Sequence, residues 1–124
     1  MIRSFRFGCA PVIGSGQQYI SWIHIDDLCK MISKAISDKK ITGVYNAVAP
    51  QPLSYLNLTK LVIHLLGKKY SLVHIPGFIL KLSIGELANL IIQSSRVSSK
   101  KIESTGFHFN YPQADHAVRD LLKT

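Results

Sequence analysis

The stretch that most constrains the fold is residues 14–28, Gly-Ser-Gly-Gln-Gln-Tyr-Ile-Ser-Trp-Ile-His-Ile-Asp-Asp-Leu. Gly14 and Gly16 suit a tight reversal at positive φ, which a Cβ disfavours. Tyr19 to Ile25 is dense in β-branched and aromatic side chains and predicts a strand. Asp26 and Asp27 follow as candidate N-caps. Leu28, Met31, Ile32, Ala35 and Ile36 then recur at helical spacing. Turn, strand and helix in that order predict an α/β fold, in which ligands commonly sit at the ends of strands.

The rest of the chain extends this pattern. Residues 1–13 read as a strand or loop entering the glycine turn. Val44 to Val48 predicts a short strand, stopped by Pro50 and Pro52. Ser54 is placed to cap a helix from Tyr55 to Leu66, which Gly67 ends. Tyr70 to Ile75 predicts another strand, and two short helices are expected at Phe78–Ser83 and Gly85–Gln93. Ser98 can cap a further turn through Ile102 and Glu103. Phe107, Phe109 and Tyr111 alternate with polar residues as in an extended segment, and Pro112 suits the start of a last helix to Leu122. Two or three short strands among about five helices are the expectation.

A length of 124 residues allows one domain. The hydrophobic share of 47% and mean hydropathy of +0.17 are high beside 18% charged residues, so some apolar faces are expected to cover a partner. The net charge of +8 comes from basic residues in pairs at most, Lys39-Lys40, Lys68-Lys69 and Lys100-Lys101. Each pair falls at an expected turn or helix end, where lysines meet the helix dipole and water. Nucleic acid is therefore the partner class ranked last. Cys9 and Cys29 lack the number and spacing of a disulfide framework or a metal site; Cys29, expected to be partly buried on the helix, fits a reduced cytoplasmic protein. The apolar residues after Arg6 are too few for a secretory signal. Pro76, Gly77, Lys81 and Glu86 interrupt the run from Ile75 to Ile92, so no membrane span is expected.

The motif GSGQQYISWIHIDDL, followed by GVYNAVAP at residues 43–50, resembles the C-terminal part of an extended short-chain dehydrogenase/reductase. More narrowly it resembles the NAD-dependent epimerase/dehydratase-like subfamily, which includes bacterial proteins labelled cell-division inhibitors. The likeness runs from about Phe7 to Leu122. It implies the substrate-side fragment of a Rossmann-like NAD(P)-binding fold, with residues 1–72 from the substrate region and 73–124 forming the subfamily's small helical module. Members of this class use a Gly-rich dinucleotide loop and a Tyr-x-x-x-Lys pair. Neither stands here: Gly14 and Gly16 have no third glycine after them, and the residues four beyond Tyr19, Tyr45, Tyr55, Tyr70 and Tyr111 are Ile23, Ala49, Thr59, His74 and Asp115. The resemblance thus implies no cofactor in this chain, NAD or NADP for the full-length member, and no activity for the chain alone.

The substrate-binding residues implied are Gln18, Trp22, Asn46 and Pro50. Gln18 offers an amide that both donates and accepts, Trp22 a ring that stacks or joins the core, and Asn46 and Pro50 the end of the second strand. No catalytic, cofactor-binding or metal-binding residue is assigned. His24, Asp26 and Asp27 read as a hydrogen-bonded histidine beside capping acids, since two ligands do not make a zinc site. Arg96 and Lys100 are expected to pair with Glu103 or with nearby carbonyls. Sugar-nucleotide epimerases of the wider family carry a diphosphate-binding arginine where this chain has Ile20, which leaves a less charged ligand equally open. The implied partners are a small-molecule substrate in the complete protein, the N-terminal Rossmann half, and a second copy through strand edges or apolar helix faces. A free-standing self-associating module is the alternative function.

Overall fold

The computed structural model describes residues 9–67, 71–86 and 94–123. These form a mixed α/β arrangement of four short strands and five helices. In order they are β1 (Cys9–Ile13), β2 (Tyr19–Ile20), α1 (Ile25–Ser37), β3 (Leu53–Ser54), α2 (Tyr55–Leu66), β4 (Ser71–Ile75), α3 (Gly77–Ile84), α4 (Lys100–Glu103) and α5 (Ala114–Lys123). The chain divides into two compact units, residues 1–20 with 53–95 and residues 21–52 with 96–124. Among the described residues no helix is long and apolar enough to cross a membrane.

In the first unit β1 pairs in parallel with β4, from Cys9 opposite Ser71 to Ile13 opposite Ile75, and the Gly14 N–H extends the ladder to Ile75 O at 2.9 Å. Gly14 and Gly16 both take positive φ, +58° and +70°, as the turn demands. Gly16 also lies where the chain crosses α2, and its N–H closes the turn on Ile13 O at 3.0 Å. β2 then pairs antiparallel with β3, Tyr19 opposite Ser54 and Ile20 opposite Leu53. Ser54 caps α2 by accepting from the Asn57 N–H, and Gly67 ends it at φ +62°. Ala10, Val12, Leu53 and Thr59 are buried here, the Thr59 hydroxyl donating to Tyr55 O at 2.9 Å.

The strand expected from Tyr19 to Ile25 is only the two residues of β2. His24 takes the N-cap of α1 in place of either aspartate, its Nδ1 accepting the Asp26 N–H at 3.3 Å, and Ile25 is already helical. The segment from Val44 to Val48, expected as a strand, belongs to none. The Ala49 N–H donates to Trp22 O at 2.7 Å, but neither segment joins the other in a ladder among the described residues. Conversely, residues 9–13 are a strand, because β4 supplies their partner. The helix expected at Gly85–Gln93 lies largely outside the described residues.

The second unit packs around Met31, Ile102 and Phe107, with Ile23, Ile41, Tyr45 and Phe109 against them. Only part of α1's apolar periodicity points into this core. Asp27 and Met31 are buried, whereas Ile25, Ile32 and Ile36 are 57%, 51% and 80% exposed. Cys29, expected to be partly buried, is exposed on that outer stripe. α5 begins at Ala114, two residues after Pro112, and Gln51 Oε1 accepts its first N–H at 2.7 Å.

Candidate functional site

The second unit is organised by side chains that reach across sequence to backbone groups. Asp27 is fully buried, and its two carboxylate oxygens accept the Asn110 and Tyr111 N–H groups at 2.7 and 2.9 Å. Its acidity therefore serves a loop more than eighty residues away rather than the end of its own helix, correcting the capping role expected from sequence. Lys30 Nζ donates to His108 O and Asn110 Oδ1 at 2.7 and 2.9 Å. Lys101 Nζ donates to Val44 O at 2.7 Å and sits 4.4 Å from the centre of the Tyr45 ring. Together these contacts fix the segments 44–50 and 96–112.

Between those segments lies a cleft of about 420 Å³, lined by Pro50, Pro52, Arg96, Val97, Ser98, Ser99, Lys100 and Glu103. Polar contacts hold its lining residues: Asn46 Nδ2 donates to Ser98 O at 3.2 Å, Ser98 Oγ accepts the Lys100 N–H at 3.3 Å, and buried Ser99 donates its hydroxyl to Glu103. Arg96 and Lys100 bring two cations to the lining of this cleft, and Glu103, which accepts from Ser99, brings one carboxylate. A second cleft of about 370 Å³ shares Pro50 and Glu103 and continues onto Phe107, His108, Phe109 and Pro112.

The sequence-predicted residues fall as follows. Pro50 lines both clefts. Asn46 is exposed and is tied through Ser98 to the wall of the larger cleft. Trp22 is half-buried and its Nε1 donates to Gln51 O at 2.9 Å, so its polar edge positions the chain beside Pro50. Gln18 belongs to the first unit; it is buried, and its Nε2 donates to Ile13 O at 3.0 Å across the glycine turn. Its backbone carbonyl accepts the Tyr55 N–H at 3.0 Å. Sequence reasoning assigned no site to Arg96 and Lys100. The available signal was their spacing of four around two serines after the gap from Pro52, but nothing local to 96–100 placed Pro50 opposite them.

Beside α1 and α5 lies a third feature. The ring of His24 stacks on Tyr111, centroids 3.9 Å apart. Its Nδ1 is 3.7 Å from Asp26 Oδ2 and its Nε2 is 3.5 Å from Asp120 Oδ2. Burial, and then the carboxylates of Asp120 and Asp26, push the Tyr111 phenol up from its ordinary value, with a hydrogen bond to Asp120 adding to the shift. The phenol therefore stays protonated and donates to Asp120.

Residues 75–121 match a family described as a domain of unknown function, DUF1731. The chain is 32% identical to the epimerase family protein YfhF of Bacillus subtilis over 122 residues, 98% of this chain and 40% of that protein. Among solved structures, the human epimerase family protein SDR39U1 (isoform 2) with NADPH matches with a TM-score of 0.92 and 26% identity, over 100% of this chain and 42% of that one. The nucleoside-diphosphate sugar epimerase from Corynebacterium glutamicum matches with a TM-score of 0.60 and 30% identity, over 85% of this chain and 19% of that one. The chain spans about two-fifths of the Bacillus protein's length. It resembles the C-terminal part of NAD-dependent epimerase-family proteins, and its α/β fold is that of a fragment of their Rossmann-like fold.

Proposed function

We propose that this chain is the substrate-side part of an NAD(P)-dependent epimerase-like or short-chain oxidoreductase of the cytoplasm, inactive by itself. The observation that carries the reading is the match of the whole chain, with a TM-score of 0.92, to two-fifths of a protein solved with NADPH. The 124 residues contain neither a Gly-x-Gly-x-x-Gly loop nor a Tyr-x-x-x-Lys pair. They do not fit a dinucleotide on their own, and no chemical step is derived through one. Their contribution is binding. Pro50, Asn46 and Trp22 frame one side of the ligand, while Arg96 and Lys100 offset a negative charge on it. That charge fits a phosphate-bearing sugar despite Ile20. Gln18 remains in the proposal on the family resemblance, as the residue after the glycine turn. Titrating the chain with NADPH is expected to give no saturable fluorescence change and no NADPH consumption. Saturable binding or turnover would refute the division of labour.

One observation favours a second reading. Ile25, Cys29, Ile32 and Ile36 form an exposed apolar stripe along α1. In the first reading the N-terminal Rossmann half covers this stripe. In the second the chain is a free-standing module and another copy covers it. A mass that doubles with concentration in light scattering, and returns to the monomer value in Ile32→Asp, would favour the second.

A further inference from the structure

At the start of α1 one polar atom is left without a hydrogen bond. His24 is 3% exposed, and its Nε2 has no hydrogen-bond partner among the described residues. It faces Asp120 Oδ2 at 3.5 Å. That is long for an N–H···O bond, and a buried polar atom is costly to leave unsatisfied. Two donors each about 2.1 Å from one tetrahedral ion, however, stand roughly 3.4 Å apart. A nitrogen of His24 and one oxygen each from Asp26 and Asp120 all lie within 4.8 Å of one another. The acidic side chains are 60% and 46% exposed, so an ion reaches them from solvent without unfolding the unit.

The geometry points to a divalent-cation site with His24 Nε2 and the Asp120 carboxylate as direct donors, Asp26 as the orienting carboxylate, and water completing the shell. Imidazole with carboxylate suits zinc, and with two protein donors, fewer than a structural or catalytic zinc site carries, the ion is held exchangeably. Binding through Nε2 places the ring proton on Nδ1. That nitrogen then releases its 3.3 Å bond from the Asp26 N–H and turns to the Asp26 carboxylate, 3.7 Å away. Metal-bound histidines are ordinarily oriented through such a contact from the second nitrogen, and ligating carboxylates are themselves hydrogen-bonded, as Asp120 is by Tyr111. The ion would clasp the first turn of α1 to the end of α5 within one unit. This site is separate from both clefts and stands independently of the proposed enzyme role.

The test is calorimetric titration of the 124-residue chain with zinc chloride alone in metal-free buffer. One binding event is expected. Asp120→Asn, nearly isosteric and partly exposed, should weaken it on the order of tenfold or more. His64→Gln, on the other unit, should leave it unchanged. Because His24→Gln also removes a helix cap, the histidine ring is followed in the unaltered protein: zinc should move the His24 NMR resonances before those of His64, His74, His108 or His116. Equal zinc binding by wild type and Asp120→Asn would overturn the site. So would the absence of both heat and a His24 shift at a hundredfold excess of zinc.

Discussion

In the unit formed by residues 1–20 and 53–95, backbone bonds to backbone: β1 and β4 pair along five residues, β2 and β3 along two, and the turn at Gly16 closes on Ile13. In the unit formed by residues 21–52 and 96–124, no ladder is present among the described residues, and side chains do the linking. Asp27 holds Asn110 and Tyr111, Gln51 holds Ala114, and Lys30, Asn46 and Lys101 each reach a distant carbonyl. A ladder spreads stability over many equivalent bonds. A staple concentrates it in one residue, so single substitutions in the second unit should act more sharply.

The largest effect is therefore expected at Asp27. Asp27→Ala removes both carboxylate acceptors and leaves two N–H groups unsatisfied, a loss of about 3 kcal/mol or more. Asp27→Asn keeps one acceptor and should lose roughly half as much. Amide hydrogen exchange resolves the comparison: protection should fall first around 107–112 and α1, while β1 and β4 keep theirs. A uniform fall over both units would mean that the staple and the ladder belong to one cooperative structure.

That contrast also explains what the sequence revealed. Ser54 and Gly67 bound α2 through bonds to near neighbours, so their roles are legible in a short window. Asp27 sits at a helix start, where an acid ordinarily caps, and nothing within that window shows that its partners lie at 110 and 111. The apolar period of α1 was legible as a helix but not as a direction. Its outer stripe, Ile25, Ile32 and Ile36, is exposed, while the core takes Met31. Trp22 and Val44–Val48 have the composition of strands, but a strand is completed by its neighbour, and neither segment joins a ladder among the described residues. Pro50 is singled out by the family resemblance, whereas Arg96 and Lys100 come to the same cleft only through tertiary packing.

A ladder has its own weak point where side chains and backbone cross closely, and Gly16 tests it. A Cβ there would stand 2.6 Å from Val12 Cγ1 and 2.9 Å from Leu56 Cβ, at φ +70°. Gly16→Ala should cost about 2 kcal/mol, from the left-handed backbone together with overpacking. Gly14→Ala meets no atom within 4 Å at φ +58° and should cost only about 1 kcal/mol, from the backbone alone. Denaturant melts of the two variants separate crossing from conformation. Equal losses would mean that Leu56 and Val12 move aside, and that the first unit is softer than its ladder implies.

The smallest effect is a pH dependence peculiar to the second unit. The Tyr111 phenol is raised above its ordinary value by burial and by the Asp120 and Asp26 carboxylates, so the folded state holds that proton more tightly than the unfolded chain does. A raised folded value contributes stability that is complete below the unfolded value, near 10 for tyrosine. It is lost as pH rises through the higher folded value. Melting the protein between pH 9 and pH 11 should therefore show a decline that is shallower in Tyr111→Phe, which carries no ionisable group. Tyr55 is raised by burial alone in the first unit, so Tyr55→Phe separates burial from charge. If the two variants flatten the profile equally, burial alone sets both shifts, and the acidic corner around His24, Asp26 and Asp120 adds nothing to the proton's hold. A larger effect at Tyr111 would place negative charge there, which is also what a cation would need.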